Sequence, residues 1–225
     1  MNSFLEFEKP LADIEGKLKE LKHLAEDGDV DVSSEIAKLE TRSDLLLRET
    51  YEDLGAWQKT QVARHADRPH YLDYVEGLIE DFTTLAGDRG FGEDKAILGG
   101  LGRFRGRSVM VIGQEKGSNT TDRIKHNFGM AQPEGYRKAV RLMKLAEKNN
   151  IPVITFVDTA GAHPGIEAEE RGQAEAIARS IDTGLSLKVP FISIVIGEGG
   201  SGGAIALAAG NTVLMLEHAI YSVIT

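Results

Sequence analysis

The sequence predicts an α/β protein, and three observations lead there. From residue 107 onward, short apolar runs alternate with segments of helical periodicity, the order of strands joined by crossover helices. The runs are continuously apolar rather than alternating, which implies strands buried on both faces with mostly parallel neighbours. A glycine-dense stretch, Val195-Ile196-Gly197-Glu198-Gly199-Gly200-Ser201-Gly202-Gly203-Ala204, then leads from one such run into an Ala-rich segment, the pattern of a strand entering a helix through a tight turn.

Taken in order, the chain opens with two amphipathic segments. Apolar residues fall at Leu11, Ile14, Leu18 and Leu21 after Pro10, and at Ile36, Leu39, Leu46 and Leu54 after Ser33-Ser34, with Gly28-Asp29 breaking them. This predicts an antiparallel helical hairpin over residues 1–55, whose apolar stripe is buried either on the rest of the protein or on a partner chain. Residues 56–90 read as a connector and a helix. Trp57 to Tyr74 is rich in Arg, His and aromatic residues, its Arg68-Pro69 step interrupts helix, and Tyr71 to Leu85 has helical spacing ending at Gly87. Residues 91–225 form the core domain: turns from Phe91 to Gly106 around Ala96-Ile97-Leu98, a strand at Val109–Ile112, and a helix from Glu134 to Lys148. A strand at Val153–Val157, a helix from Glu167 to Ser186, a strand at Phe191–Ile196 and strand-like Thr212–Leu216 follow. The stripe Arg137, Arg141, Lys144, Lys148 reads as a solvated face, or as one that meets a phosphate or an acidic partner.

Composition narrows the function classes. The 225 residues include 41% hydrophobic ones, enough for a real core, and a net charge of −9 argues against general binding to nucleic acid or anionic membranes. Without cysteine, disulfides and thiolate zinc sites are excluded, and the six histidines show no ligand-like spacing, so no metal site is expected. There is no signal-like N-terminus and no bilayer-length apolar run, so a cytoplasmic, non-membrane protein is expected.

The glycine run admits several chemistries. Gly197-Glu198-Gly199-Gly200-Ser201-Gly202 fits the G-x-G-x-x-G of dinucleotide sites, with Glu217 near the ribose-binding position, but the following helical segment is short for that fold. Gly199-Gly200-Ser201-Gly202-Gly203 also fits the G-x-S-x-G of serine hydrolases, yet only Glu217 and His218, adjacent in sequence, follow as triad partners. A third possibility is an oxyanion hole made of backbone amides, where glycine permits φ > 0 and close approach. The fourth is that the glycines only let a helix pack tightly on a sheet. The loop Asp158-Thr159-Ala160-Gly161-Ala162-His163-Pro164-Gly165 also follows a strand, and two such loops at adjacent strand ends can converge on one oxygen. The lone His163 reads as a surface residue rather than a base.

Longer motifs carry a resemblance. Asp53-Leu54-Gly55-Ala56-Trp57-Gln58, Leu72-Asp73-Tyr74, Leu85-Ala86-Gly87-Asp88-Arg89, Asp94-Lys95-Ala96-Ile97, Asn127-Phe128-Gly129-Met130, Pro133-Glu134-Gly135-Tyr136-Arg137-Lys138-Ala139, Ala168-Glu169-Glu170-Arg171-Gly172-Gln173 and the glycine run through Ile224 together resemble a single family. It is that of the carboxyltransferase alpha subunits of bacterial acetyl-coenzyme A carboxylase, in the crotonase superfamily.

The resemblance implies a crotonase-like core of stacked βαβ units behind the hairpin. It also implies transfer of a carboxyl group from carboxybiotin to acetyl-coenzyme A, forming malonyl-coenzyme A for fatty-acid synthesis. The implied partners are a beta subunit in an alpha2beta2 assembly, the biotin carboxyl carrier protein, and biotin carboxylase in the complete complex. Biotin rides on the carrier, and zinc belongs to the beta subunit. The catalytic amides then fall on Gly202 and Gly203, with Gly199, Gly200, Ala160 and Gly161 against the substrate. Ala160 and His163 stand where the family usually has proline and tyrosine, and the family continues past Thr225, so the core is expected to be incomplete at its C-terminus.

Overall fold

A computed structural model describes residues 4–26 and 32–223, in two units, Met1–His65 and Ala66–Thr225. In the first, a 3-10 turn at Glu6–Glu8 leads into helix α1 (Lys9–Glu26), followed by α2 (Ser33–Glu52) and α3 (Ala56–Ala63). Leu11, Ile14 and Leu18 are buried, as their spacing requires. The pairing of α1 and α2 is antiparallel. Tyr51 near the end of α2 donates its hydroxyl to Glu8 and meets Phe7 edge-on, while Lys22 bridges to Glu40 at 2.8 Å. Burial first, and the hydrogen bond to Glu8 next, push the Tyr51 phenol up. The hairpin turn with Gly28-Asp29 lies outside the described residues. Within the stretch expected to be a connector, Ala56–Ala63 forms a full helix, whose entry is held by Gln58 Oε1 accepting the Gly55 amide at 2.7 Å.

The second unit holds a seven-stranded sheet, and it corrects three expectations. The helix expected over Tyr71 to Leu85 stops early: α4 is Tyr71–Leu78, and β1 (Glu80–Thr84) follows. The glycine-rich stretch expected to be turns is an eight-residue strand, β2 (Ile97–Phe104). Its glycines allow close approach, since a Cβ on Gly99 would stand 2.5 Å from Leu142, and those on Gly100 and Gly102 would fall onto Thr83 and Ile79. The expected helix from Glu167 to Ser186 is two, α7 (Ile166–Glu170) and α8 (Gln173–Ser186), broken at Gly172, whose φ of 78° only glycine adopts freely.

The remaining elements are β3 (Arg107–Gln114), α5 (Thr120–Lys125), α6 (Pro133–Lys148), β4 (Val153–Thr159), β5 (Phe191–Gly200), α9 (Ser201–Ile205), β6 (Thr212–Met215) and β7 (Ile220–Ser222). Strands β1, β2 and β3 pair antiparallel, and β3, β4, β5 and β6 pair parallel. Beyond β6, strand β7 joins the same edge of β5 opposite Glu198–Gly200. Both faces are covered, as continuous apolar strands require. Met110, Ile112, Val157 and Val195 pack with Tyr136, Leu142 and Met143 of α6, while Val109, Val111 and Phe156 pack with Tyr71 and Val75 of α4. The basic stripe of α6 is only partly a solvated face. Arg141 donates to the carbonyls of Leu85, Ala86 and Gly87, and Arg137 to that of Arg171, while Lys144 and Lys148 are exposed. Among the described residues no helix is long and apolar enough to cross a membrane.

Candidate functional site

Strand β5 does not end where the apolar run ends. It continues through Gly197, Glu198, Gly199 and Gly200, all buried, and the chain turns only at Ser201. Each glycine marks a close approach. A Cβ on Gly197 would stand 2.5 Å from the Asp158 carboxylate, one on Gly199 2.7 Å from the Tyr221 ring, and one on Gly200 would overlap the Ala160 carbonyl. Gly199 therefore lies against β7 and Gly200 against the loop after β4. Among these turn residues, positive φ belongs to Ser201 alone, at 47°, so the left-handed conformation anticipated for the glycines falls on the serine.

Gly202 and Gly203 lie in the first turn of α9, where helix geometry supplies amides no partner four residues back. At Gly202 a Cβ would meet only Ile177, at 3.7 Å. At Gly203 it would meet the backbone of the β4 loop, 2.6 Å from Gly161 C and 2.7 Å from Ala162 N. Adjacent strands β4 and β5 thus bring Ala160-Gly161 and Gly200–Gly203 together, the convergence anticipated from their strand-end positions. The Gly161 amide is already engaged: it donates to Thr159 Oγ1 at 3.1 Å, while that hydroxyl donates back to the Gly161 carbonyl at 2.7 Å.

Beneath this junction lies a buried charge network that the sequence did not announce. Asp158, 1% exposed, accepts from His70 Nδ1 at 3.1 Å, from Lys116 Nζ at 2.9 Å and from the Glu198 amide at 2.9 Å. Lys116 also pairs with Glu198. Burial alone would push the Asp158 carboxyl up, but the hydrogen bond from His70, the charge of Lys116 and the Glu198 amide outweigh it and hold it below the usual range. An ionised carboxylate only accepts, so His70 carries its proton on Nδ1 in this contact. Gln114, fully buried at the end of β3, accepts the Asp158 amide at 3.1 Å and donates to the Gly203 carbonyl at 3.0 Å.

A second loop braces the first. His163 donates its amide to Ala131 O at 3.0 Å and its ring Nδ1 lies 3.0 Å from Asn127 Nδ2, while Gln173 donates to the carbonyls of Ala131 and His163. Asn127, Phe128 and Gly129 all have positive φ (46°, 54° and 76°), and Gly129 must be glycine, since a Cβ there would stand 2.9 Å from Asp158 O. His163 is thus a held loop residue, and no described residue hydrogen-bonds the Ser201 hydroxyl. The described residues contain no group of three or more His, Asp or Glu placed to hold a metal ion.

Comparison with known proteins gives concordant matches. The family profile described as acetyl co-enzyme A carboxylase carboxyltransferase-like matches residues 4–225. The chain is 68% identical over 221 residues to the acetyl-coenzyme A carboxylase carboxyl transferase subunit alpha of Paramagnetospirillum magneticum, covering 98% of this chain and 70% of the relative. It is 68% identical over 226 residues to the subunit of the same name from Parvibaculum lavamentivorans, covering 100% and 71%. Among solved structures it resembles the beta subunit of P. aeruginosa geranyl-CoA carboxylase, with a TM-score of 0.52 and 21% identity over 63% of this chain and 26% of that one. It also resembles transcarboxylase 12S with hydrolyzed methylmalonyl-coenzyme A bound, with a TM-score of 0.58 and 20% identity over 68% and 28%. At these identities the solved structures speak to the fold, which is crotonase-like.

Proposed function

Because the chain belongs to the family of acetyl-coenzyme A carboxylase carboxyltransferase alpha subunits, we propose that it transfers a carboxyl group to acetyl-coenzyme A, forming malonyl-coenzyme A for fatty-acid synthesis together with a beta subunit. The observation that carries this assignment is the match over residues 4–225. The donor is biotin carried on a carrier protein, as carboxybiotin. When bound, carboxybiotin would supply the carboxyl group to the acetyl methyl carbon, and its ureido group would accept the proton that carbon loses. Gly202 and Gly203 present first-turn amides to the ureido oxygen, where negative charge develops. At Gly202 the turn is open on the Cβ side, where no atom comes closer than 3.7 Å. One such donor is worth about 10²–10³ in rate.

The rest of the site shapes and fixes these amides. Ala160 and Gly161 form the facing wall, Gly200 lets that wall close in, and Gly199 lets β7 lie against the same turn. No side chain of this chain acts as nucleophile or base, which fits a Ser201 hydroxyl that no described residue hydrogen-bonds and the loop position of His163. We assign zinc to the beta subunit, as the resemblance implies; this chain, without cysteine, offers no thiolate ligand. The assembly is alpha2beta2, joined by the carrier protein and biotin carboxylase in the cytoplasm. The test is malonyl-coenzyme A formation from carboxylated carrier and acetyl-coenzyme A, with the beta subunit present or omitted. Turnover is expected only in the mixture, and turnover by this chain alone, or by neither, overturns the proposal.

A further inference from the structure

We infer that Gln114 is a positioning residue of the carboxyl-transfer site, its side-chain amide fixing the start of α9 and thereby the direction of the Gly202 and Gly203 amides. The inference rests on the oxyanion reading of those amides. Gln114 shares a face of β3 with the core residues Met110 and Ile112 and is fully buried. A polar side chain there needs partners for both ends of its amide, and two breaks in regular structure supply them.

The first break is in the sheet. Register between β4 and β5 shifts between Val157 and Thr159, and Gln114 Oε1 takes up the Asp158 amide at this irregularity, at 3.1 Å. The second is in the helix. Regular continuation would return the Leu207 amide to the Gly203 carbonyl, but Leu207 and Ala208 both donate to Ala204 O instead, at 3.1 and 2.9 Å. Gln114 Nε2 occupies the vacated Gly203 carbonyl at 3.0 Å. One side chain therefore ties the end of β4 to the helix that opens after β5. Its anchor is stiff, because Asp158 is held at once by His70, Lys116 and the Glu198 amide.

Two near-isosteric variants in the assembled transferase test this, Gln114→Glu and Gln114→Met, with kcat, KM for acetyl-coenzyme A and thermal melting followed across pH. A neutral glutamic acid donates to the Gly203 carbonyl as the amide does, whereas its ionised form cannot. Burial raises a carboxyl pKa, so Gln114→Glu should turn over at near the wild-type rate on the acid side and lose kcat as pH rises, with KM little changed. Asp158, His70, Lys116 and Glu198 are common to variant and wild type, so the wild-type profile is the control. Gln114→Met fills the volume without either bond and should lose about 10–10²-fold in kcat at every pH, by the scale of misplacing a catalytic group.

Wild-type kcat in the Met variant, or a Glu variant whose pH profile parallels the wild type, overturns the inference. So does loss confined to KM, or failure of both variants to fold, which makes Gln114 a structural residue only. If one variant alone folds, that one decides. The oxyanion reading has its own control in Gly203→Ala: full turnover there despite a shifted α9 defeats that reading, whereas loss there with active Gln114 variants defeats only the role of Gln114.

Discussion

Gly203→Ala is the most informative perturbation of the glycine turn, because the structure separates its steric cost from its conformational one. The φ of Gly203 is not positive, so the backbone itself accepts alanine. The added Cβ, however, would stand 2.6 Å from Gly161 C, and ordinary contact begins at 3.4 Å, so α9 and the β4 loop must part by about 0.8 Å. Both neighbours are backbone and cannot swing aside. Overpacking of this kind costs about 1–3 kcal/mol, and the gain of alanine over glycine in a helix returns up to ~1 kcal/mol. A shift approaching 1 Å in a catalytic group can cost about 10²-fold in rate. The expected variant is therefore folded, modestly destabilised and about a hundredfold slower in kcat. Urea unfolding and malonyl-coenzyme A formation with the beta subunit measure the two effects. Gly202→Ala, whose Cβ meets only Ile177 at 3.7 Å, is the stability control and should melt at or above the wild-type temperature. A net gain in stability in Gly203→Ala would refute the contact argument. Unchanged kcat in a destabilised variant would refute the claim that the position of this amide matters.

Asp158→Asn should cost about 3–5 kcal/mol in urea unfolding at neutral pH, the scale for breaking a buried ion pair, because it leaves Lys116 without one of its carboxylates. The native Asp158 carboxyl sits below its unfolded value, so its contribution is present above about pH 4 and lost as pH falls through the native pKa. The variant should show a flatter acid limb, and an unchanged limb would count against the network. Tyr136→Phe should be neutral or stabilising by up to ~1 kcal/mol in the same unfolding measurement, since the Tyr136 hydroxyl is buried without a partner among the described residues; a clear loss would reveal an unseen partner. Ser201 should resist labelling by a fluorophosphonate despite its elbow-like φ, as no described residue hydrogen-bonds its hydroxyl. A covalent adduct at Ser201 would restore the hydrolase reading.

What the sequence disclosed and concealed follows from the range of the interactions. Strands β3, β4 and β5 were legible because burial on both faces writes a continuous apolar run. Strands β1 and β2 were not. Phe82 and Leu85 happen to continue the helical spacing of α4, and the glycines of β2 are required only because Thr83, Ile79 and Leu142 press against them, contacts that no local window contains. Helix α3 hid among aromatic and charged residues that read as a connector. The site divides in the same way. The convergence of the two strand-end loops could be anticipated from their place after adjacent parallel strands, whereas the bond from His70 to Asp158 joins residues 88 positions apart and that from Gln114 to Gly203 spans 89.

Close packing and the proposed oxyanion hole, which the sequence offered as separate explanations of the glycine run, rest on the same contacts. Gly200 and Gly203 are glycines because the β4 loop lies against their α-carbons, and that same contact holds the first-turn amides of α9 in place. Substituting a glycine therefore disturbs packing and catalysis together, so a lost rate after Gly203→Ala is consistent with either cause taken alone. Gln114 breaks this degeneracy. It lies on the sheet side of the helix start, so Gln114→Glu leaves every glycine contact intact and alters only whether a proton is available to the Gly203 carbonyl. A kcat that falls with rising pH through a single ionisation while the variant stays folded would assign the loss to amide direction; the raised pKa itself makes the melting temperature fall between the unfolded and native values of that carboxyl, so that fall is expected and is not a sign of loosened packing.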